Sequence, residues 1–414
     1  MGSRWPNRNP IALVRRAAIL FLFAGIFFIS AECGAQGSLA FKIDENISRF
    51  AFSSSRRIAF ATRHVYSVKK ISLQRDDIWI AEADGKRRRI LFGEKFVRGT
   101  GPFSYAVRGM RWSADSSKLA VELGTSEMIN EDGDTREGVM TLLLDDAGRE
   151  ITIAGADGTI PGATNAAWLS DGVSVVYLTE HVQENAVTSS EAASNSTSNP
   201  ASTSATARAK LAEALAANKL FSMNLVKAFS EGTRGLFEGH LFSVVAWDRK
   251  HDTGVGIERD AGGAGSLRLV TLDLAHESLQ MLGTIRGYAG GLTISPSGKK
   301  LAYWIDNEVL EVRDVDAPNR MARVRVALGT LAWSGDEARV LVKRGAALRS
   351  GGLVWLTLPS LASVATGSEA ATAEVAPQSI LHDLEFRQFE ISPDGRFLGV
   401  VEPGKRNLLV YAVN

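Results

Sequence analysis

Cysteine is almost missing. Cys33 is the one thiol in 414 residues, and it lies within the first 35. A chain beginning at Gln36 has no disulfide and no thiolate metal site, so its stability has to come from packing. Histidine is scarce as well: His64, His181, His240, His251, His276 and His382 show no spacing that a metal or a catalytic base requires. There is no G-x-S-x-G elbow of the kind that carries a hydrolase nucleophile, and no sustained helical heptad. These absences leave no expected catalytic residue, metal or cofactor, and they favour a non-enzymatic protein. An excess of one charge is lacking too. Removal of residues 1–35 takes four arginines and one glutamate from 47 basic and 46 acidic residues, leaving 43 and 45. Such a balance excludes nucleic acid as a general partner.

The one long apolar run stands at the start. Arg4, Arg8, Arg15 and Arg16 precede "AAILFLFAGIFFIS", Ala17 to Ser30, and Cys33-Gly34-Ala35 then offers the small residues that a signal peptidase reads. A bilayer span needs roughly 20 apolar residues, more than this run supplies. Residues 1–35 are therefore expected to be a bacterial-type secretory signal cut after Ala35, with a retained membrane anchor over residues 17–30 as the alternative. Glu32 stands where a lipoprotein signal carries a small residue, so lipidation of Cys33 is the weaker variant. The mature protein is expected in the periplasm or secreted, touching a membrane only through an uncleaved segment or a lipidated Cys33.

What the chain does have is one repeated phrase. "ISPDGRFLGVV", Ile391 to Val401, echoes "ISPSGKKLAYW", Ile294 to Trp304. Proline presets the turn, aspartate bonds nearby backbone, and glycine accepts a positive φ. The apolar β-prone run that follows makes each copy a strand, a turn and a strand. Looser copies begin at Trp112, Trp168, Trp247 and Trp333, and "FSSSRRIAFAT" at Phe52 is degenerate, without glycine. Seven copies at irregular spacing, in a chain 45% hydrophobic and with 39 glycines, predict an all-β repeat architecture in one domain.

One segment breaks the pattern. "QENAVTSSEAASNSTSNPASTSATA", Gln183 to Ala207, is too poor in large apolar residues to offset its ordering entropy, and "RAKLAEALAANK", Arg208 to Lys219, has the makings of a short amphipathic helix. Residues 183–219 are expected to form a disordered insertion within the third repeat, between its second and third strands.

"DIWIAEADGKRRRI", Asp77 to Ile90, adds a third strand, a D-G hairpin and a basic fourth strand. Joined to the S-P-D-G phrase, this resembles the WD-like propeller repeats of the TolB family. The resemblance implies a β-propeller of four-stranded blades over residues 36–414 and a periplasmic scaffold that binds partners at the cell envelope. The TolB N-terminal α/β domain has no counterpart, because the first blade begins directly after the signal. About 340 residues without the insertion give about 49 for each of seven blades, near the usual repeat length. Six blades are the alternative. The last copy runs out of chain before its fourth strand, and "SLAFKI", Ser38 to Ile43, is expected to supply it and close the ring.

In a propeller the residues before each innermost strand line the mouth of the central channel. Here they include Arg98, Arg108, His240, Arg286, Tyr288 and Arg387, expected to bind an envelope protein, a peptide or an anionic small ligand. Rival readings are a lactonase- or quinoprotein-like enzyme at the channel mouth and a membrane-tethered sensor. The acidic stretch "NEDGDTREG", Asn130 to Gly138, reads as a hairpin tip rather than a calcium loop, and a monomer is expected.

Overall fold

The repeated phrase folds through its serine. In the last copy Ser392 Oγ donates to Asp394 Oδ1 at 2.6 Å and accepts from Phe397 N at 2.9 Å. Gly395, at φ 72°, donates its N–H to Ser392 O at 2.8 Å. Ser113 with Asp115 and Lys118, and Ser334 with Asp336 and Arg339, repeat that pattern. In the degenerate copy Ser53 keeps its bond to Arg57 N at 2.9 Å, and Ser55, 3.1 Å from Ser53 Oγ, stands in for the aspartate. One short hydroxyl thus replaces the carboxylate without loss of the turn.

The computed structural model describes residues 38–413 except 69, 83–85, 100, 130–133, 154–156, 182–218, 229–231, 249–251, 260–266, 286–288, 344–351, 364–371, 374, 376–377 and 382–386. The expected signal 1–35, almost all of the expected insertion 183–219, and most of the acidic tip 130–134 lie outside the described residues. Every element among the described residues is a β-strand.

Each phrase straddles the end of one strand and the start of the next. The strands that end at the phrases are Ile47–Phe52, Phe103–Trp112, Ala163–Trp168, Phe242–Asp248, Ala289–Ile294, Leu331–Trp333 and Gln388–Ile391. Each opens a four-stranded antiparallel set, here numbered blades one to seven. Blades three and four share a single backbone pairing, Phe221 with Phe242. Blade five carries two extra short strands, Ala362–Ser363 and Thr372–Ala373, on its outer edge. The fourth strand of blade seven comes from the other end of the chain: Ser38–Ile43 pairs with Leu408–Ala412, Ile43 opposite Leu408.

Successive blades meet face to face through apolar clusters. Between blades one and two, Ile78 and Ile80 pack with Tyr105 and Leu123. The same happens at each following pair, and the last cluster brings Val401, Leu408 and Val410 of blade seven against Phe50, Phe52 and Phe60 of blade one. Burying each such side chain is worth about 1.5–3 kcal/mol.

The two ends of the blades differ. At one end the serine turns interlock: Ser54 Oγ reaches Ala114 O at 2.9 Å, Ser170 Oγ reaches Asp252 at 2.5 Å, and Ser297 Oγ reaches Glu337 at 2.9 Å. The opposite end carries the long hairpins, Ile58–Val68 with Ile71–Ala81 and Lys118–Met128 with Thr135–Asp145. The strands flanking the insertion, Ser174–His181 and Leu220–Lys227, also reach this end. A cavity of about 450 Å³ opens beside the serine turns, and one of about 300 Å³ opens at the hairpin end.

Candidate functional site: an arginine-lined channel mouth

A β-bulge sets the site. The first strand of blade one slips register between Ile47 and Arg49, and that of blade two between Val107 and Gly109. An extra residue in one strand bends it and re-aims the side chains around it. Arg49 and Arg108 are delivered in this way to the 300 Å³ opening, where Arg387, just before the first strand of blade seven, joins them. Glu390, Gln388, Met110 and Thr330 complete much of the wall.

The seam behind these arginines is built from buried polar groups. Asp76 is fully buried and accepts from Arg63 Nε at 3.0 Å, Ser48 Oγ at 3.1 Å and Val107 N at 2.8 Å. Tyr105 Oη donates to the Asp76 carbonyl at 2.5 Å. Burial first, then the charges of Asp76 and Asp77, push the Tyr105 phenol far up, so it serves as a neutral donor. Arg75, buried on the same strand, donates to Phe103 O at 2.8 Å and Glu94 O at 3.0 Å. A buried carboxylate with several donors locks blade one onto blade two and holds Ser48 and Val107, the neighbours of Arg49 and Arg108, in place.

Asp77, adjacent to Asp76 and as deeply buried, faces the outer strands. It accepts from Arg89 Nη1 and Gly93 N, both at 2.6 Å, and from Tyr66 Oη at 3.2 Å. Burial, then Asp77, pushes the Tyr66 phenol up to about 12. His64 Nε2, 3.6 Å from Asp77, lies 2.9 Å from Thr62 Oγ1, which in turn accepts from Trp79 Nε1 at 3.1 Å. These bonds join the strands of blade one and the loop after it, which is the arrangement of a structural network.

At the mouth the balance is positive. Arg49 Nε donates to Arg108 O and Arg49 Nη1 to Ser48 O, each at 2.9 Å. Burial, then the Arg63 and Arg387 guanidiniums, push Arg49 below its ordinary value against the pull of Asp76. Arg406 is lowered by burial, by Arg387 and by Arg63, again with Asp76 opposing. Like charges are therefore close enough to feel one another. Among the described residues, no acid pairs with Arg49, Arg108 or Arg387. Glu390 is the one carboxylate in the wall, and its Oε1 accepts from Phe52 N at 3.4 Å.

The residues expected at the mouth are scattered. Arg108 and Arg387 come together there. Arg98 pairs instead with Glu150 at 2.5 Å and Asp157 at 3.5 Å, and stacks over Phe96. His240 Nδ1 lies 2.7 Å from Glu258 Oε1, which also accepts from Arg268 at 2.9 Å, and His240 is not in the wall of the opening. Arg286 and Tyr288 lie outside the described residues. Arg49 was not among the residues expected at the mouth; like Arg108 it sits inside a first strand, not in the loop before it. Its trace is the step of three and then two between the buried Ile47, Phe50 and Phe52, the spacing of a bulge. Among the described residues, no group of three or more His, Cys, Asp or Glu could hold a metal ion.

Neither a family model nor a curated protein matches the sequence. Solved structures do resemble the fold. The β-propeller domain of Myceliophteria thermophila Cps50 (Swd1) aligns at TM-score 0.50 and 11% identity, over 91% of this chain and 100% of that one. A chain of a mitotic checkpoint complex aligns at 0.49 and 12% identity, over 91% and 95%. TolB from Acinetobacter baumannii aligns at 0.39 and 14% identity, over 74% and 64%. At such identities a likeness speaks for fold alone. The strand order, the serine turns and the match to Cps50 define the chain as an all-β propeller with WD-like repeats.

Proposed function

We propose that this chain is an exported, non-catalytic binding propeller, a TolB-like scaffold that holds a protein, peptide or small ligand at the bacterial cell envelope. In this reading it has seven blades, Ser38–Ile43 closes the ring, and the ligand sits at the arginine-lined mouth. The observation that carries the proposal is the meeting of Arg49, Arg108 and Arg387, from three segments distant in sequence, around one opening. Groups with no internal ion pair at a cavity rim are free to meet a partner, whereas paired charges are already spent. The long hairpins of blades one and two stand at the same end and add surface beside it.

Site-specific photo-crosslinking in the native envelope tests this reading. A photoreactive residue at Val65, exposed on the long hairpin of blade one, is expected to capture a partner, while one at Met281, exposed on the outer strand of blade four, is not. Equal capture at both positions, or none at Val65, overturns it. Intact mass of the recovered protein reports the export step: a chain starting at Gln36 is expected, and a retained or lipidated N-terminus would make it a tethered sensor.

A further inference from the structure

The three guanidiniums are contributed by separate blades. Arg108 belongs to blade two, Arg49 to blade one and Arg387 to blade seven, so they follow the rim across three consecutive blades. Arg406, in the hairpin between the second and third strands of blade seven, extends the same positive field, whereas Arg63 is paired with Asp76. The nearest buried acid, Asp76, is committed to Arg63, Ser48 and Val107 N. The wall's one carboxylate, Glu390, bonds the backbone of blade one.

Resting on the binding reading above, we propose that the mouth recognises a run of carboxylates in an acidic segment of a protein partner. A guanidinium presents a planar fork of N–H donors that matches a carboxylate two bonds at a time. Arg108 and Arg387 are exposed and, among the described residues, pair with no carboxylate, so engaging one breaks no ion pair among them. Bound anions would also relieve the mutual repulsion that burial and neighbouring cations impose on Arg49. The spread of the arginines is what selects an extended polyanion. A compact anion satisfies part of the rim, whereas an extended peptide presents successive carboxylates along it. Arg49 acts from a fixed position, because two backbone carbonyls hold its guanidinium.

The test is titration of the exported protein with a labelled hexaglutamate peptide, read by fluorescence anisotropy, with hexaglutamine and hexalysine as controls and inorganic phosphate and pyrophosphate as competitors. Hexaglutamate is expected to bind, with affinity falling as salt rises, and neither control peptide is expected to. The double variant Arg108→Ala, Arg387→Ala is expected to weaken binding roughly tenfold or more with an unchanged melting temperature, as loss of charge-assisted bonds requires. If that variant fails to fold, Arg108→Lys with Arg387→Lys keeps the charge, removes the fork, and is expected to bind at intermediate strength. Equal binding by the arginine variants, binding of hexaglutamine, or phosphate binding more tightly than the peptide overturns the proposal, the last assigning the rim to small phosphates. Loss of hexaglutamate binding alongside continued capture at Val65 would sink the acidic-segment proposal and leave the scaffold reading standing. Binding of hexaglutamate without any capture would do the reverse.

Discussion

The side-chain amide of Gln388 pairs with both backbone polar groups of Phe50, 338 residues away. Its Oε1 accepts from Phe50 N at 3.3 Å and its Nε2 donates to Phe50 O at 2.9 Å. A single side chain thus imitates a strand partner and sews the first strand of blade seven to that of blade one. Glu390 continues the seam two residues on, at Phe52 N.

Gln388→Ala is accordingly expected to cost about 1–3 kcal/mol, because both polar groups of Phe50 lose their partner in a half-buried place. Gln388→Glu keeps one acceptor and loses the donor, so it should remain destabilising. Urea unfolding with a fixed m-value checks both.

Two of the four tryptophans of the repeated phrase act as clips between blades. Trp112 Nε1 donates to Ala51 O at 3.2 Å and Trp247 Nε1 to Asn165 O at 2.7 Å, whereas Trp168 Nε1 and Trp333 Nε1 are buried without a partner among the described residues. Replacement by phenylalanine removes similar volume at each site. Trp247→Phe is expected to cost about 1–2 kcal/mol more than Trp333→Phe, the worth of the lost bond and its orphaned carbonyl. Equal costs in thermal unfolding would show that the indole N–H does no clipping.

The serine turns make stability depend on acid. At Asp115 burial opposes ionisation, but bonds from Ser113 Oγ, Ser117 Oγ and Ser117 N outweigh it and hold the carboxyl at about 2, below its ordinary 3.8. Asp336 and Asp394 are lowered in the same direction, Asp336 chiefly by Ser334 and Asp394 by Ser392 and Arg396 N against its burial. A depressed folded value means that the unfolded chain binds protons first. The stabilisation is complete above the unfolded value of 3.8 and is lost as pH falls towards about 2. Asp115→Asn is expected to lower the urea midpoint at neutral pH, where the bonds to the ionised carboxylate are complete, and to flatten its fall across that window.

Two glycines at the same φ, 72°, separate backbone strain from crowding. A Cβ on Gly395 would lie 2.8 Å from Gly335 Cα in the turn of blade six, while one on Gly162 would meet nothing within 4 Å. Gly162→Ala is expected to cost about 1–2 kcal/mol for the left-handed backbone alone. Gly395→Ala should cost at least about 1 kcal/mol beyond that, because a backbone atom cannot step aside. Chemical denaturation of the pair gives the difference directly.

Local chemistry made the architecture readable in advance. All seven copies of the phrase stand where a first strand ends, since period-two alternation and turn residues act over a few neighbours. The apolar stretch Ser38–Ile43 lies on the last strand of blade seven, because an edge with unpaired N–H and C=O groups takes an available strand. The basic run from Arg87 forms the exposed outer strand of blade one.

The candidate site was less readable, for a physical reason. Arg98 and Arg108 look alike in the sequence, but Arg98 finds Glu150, 52 residues on, and Arg108 pairs with no acid among the described residues. Asp76 and Asp77 stand at the stretch read as a third strand, and both are buried, holding different partners on opposite sides of that strand. Pairing of charges depends on which blades become neighbours, and the aim of Arg49 and Arg108 on bulges set by register across a strand pair. Strand, turn and repeat were therefore written locally in the chain, while which arginines face the channel was settled by contacts between blades far apart in sequence.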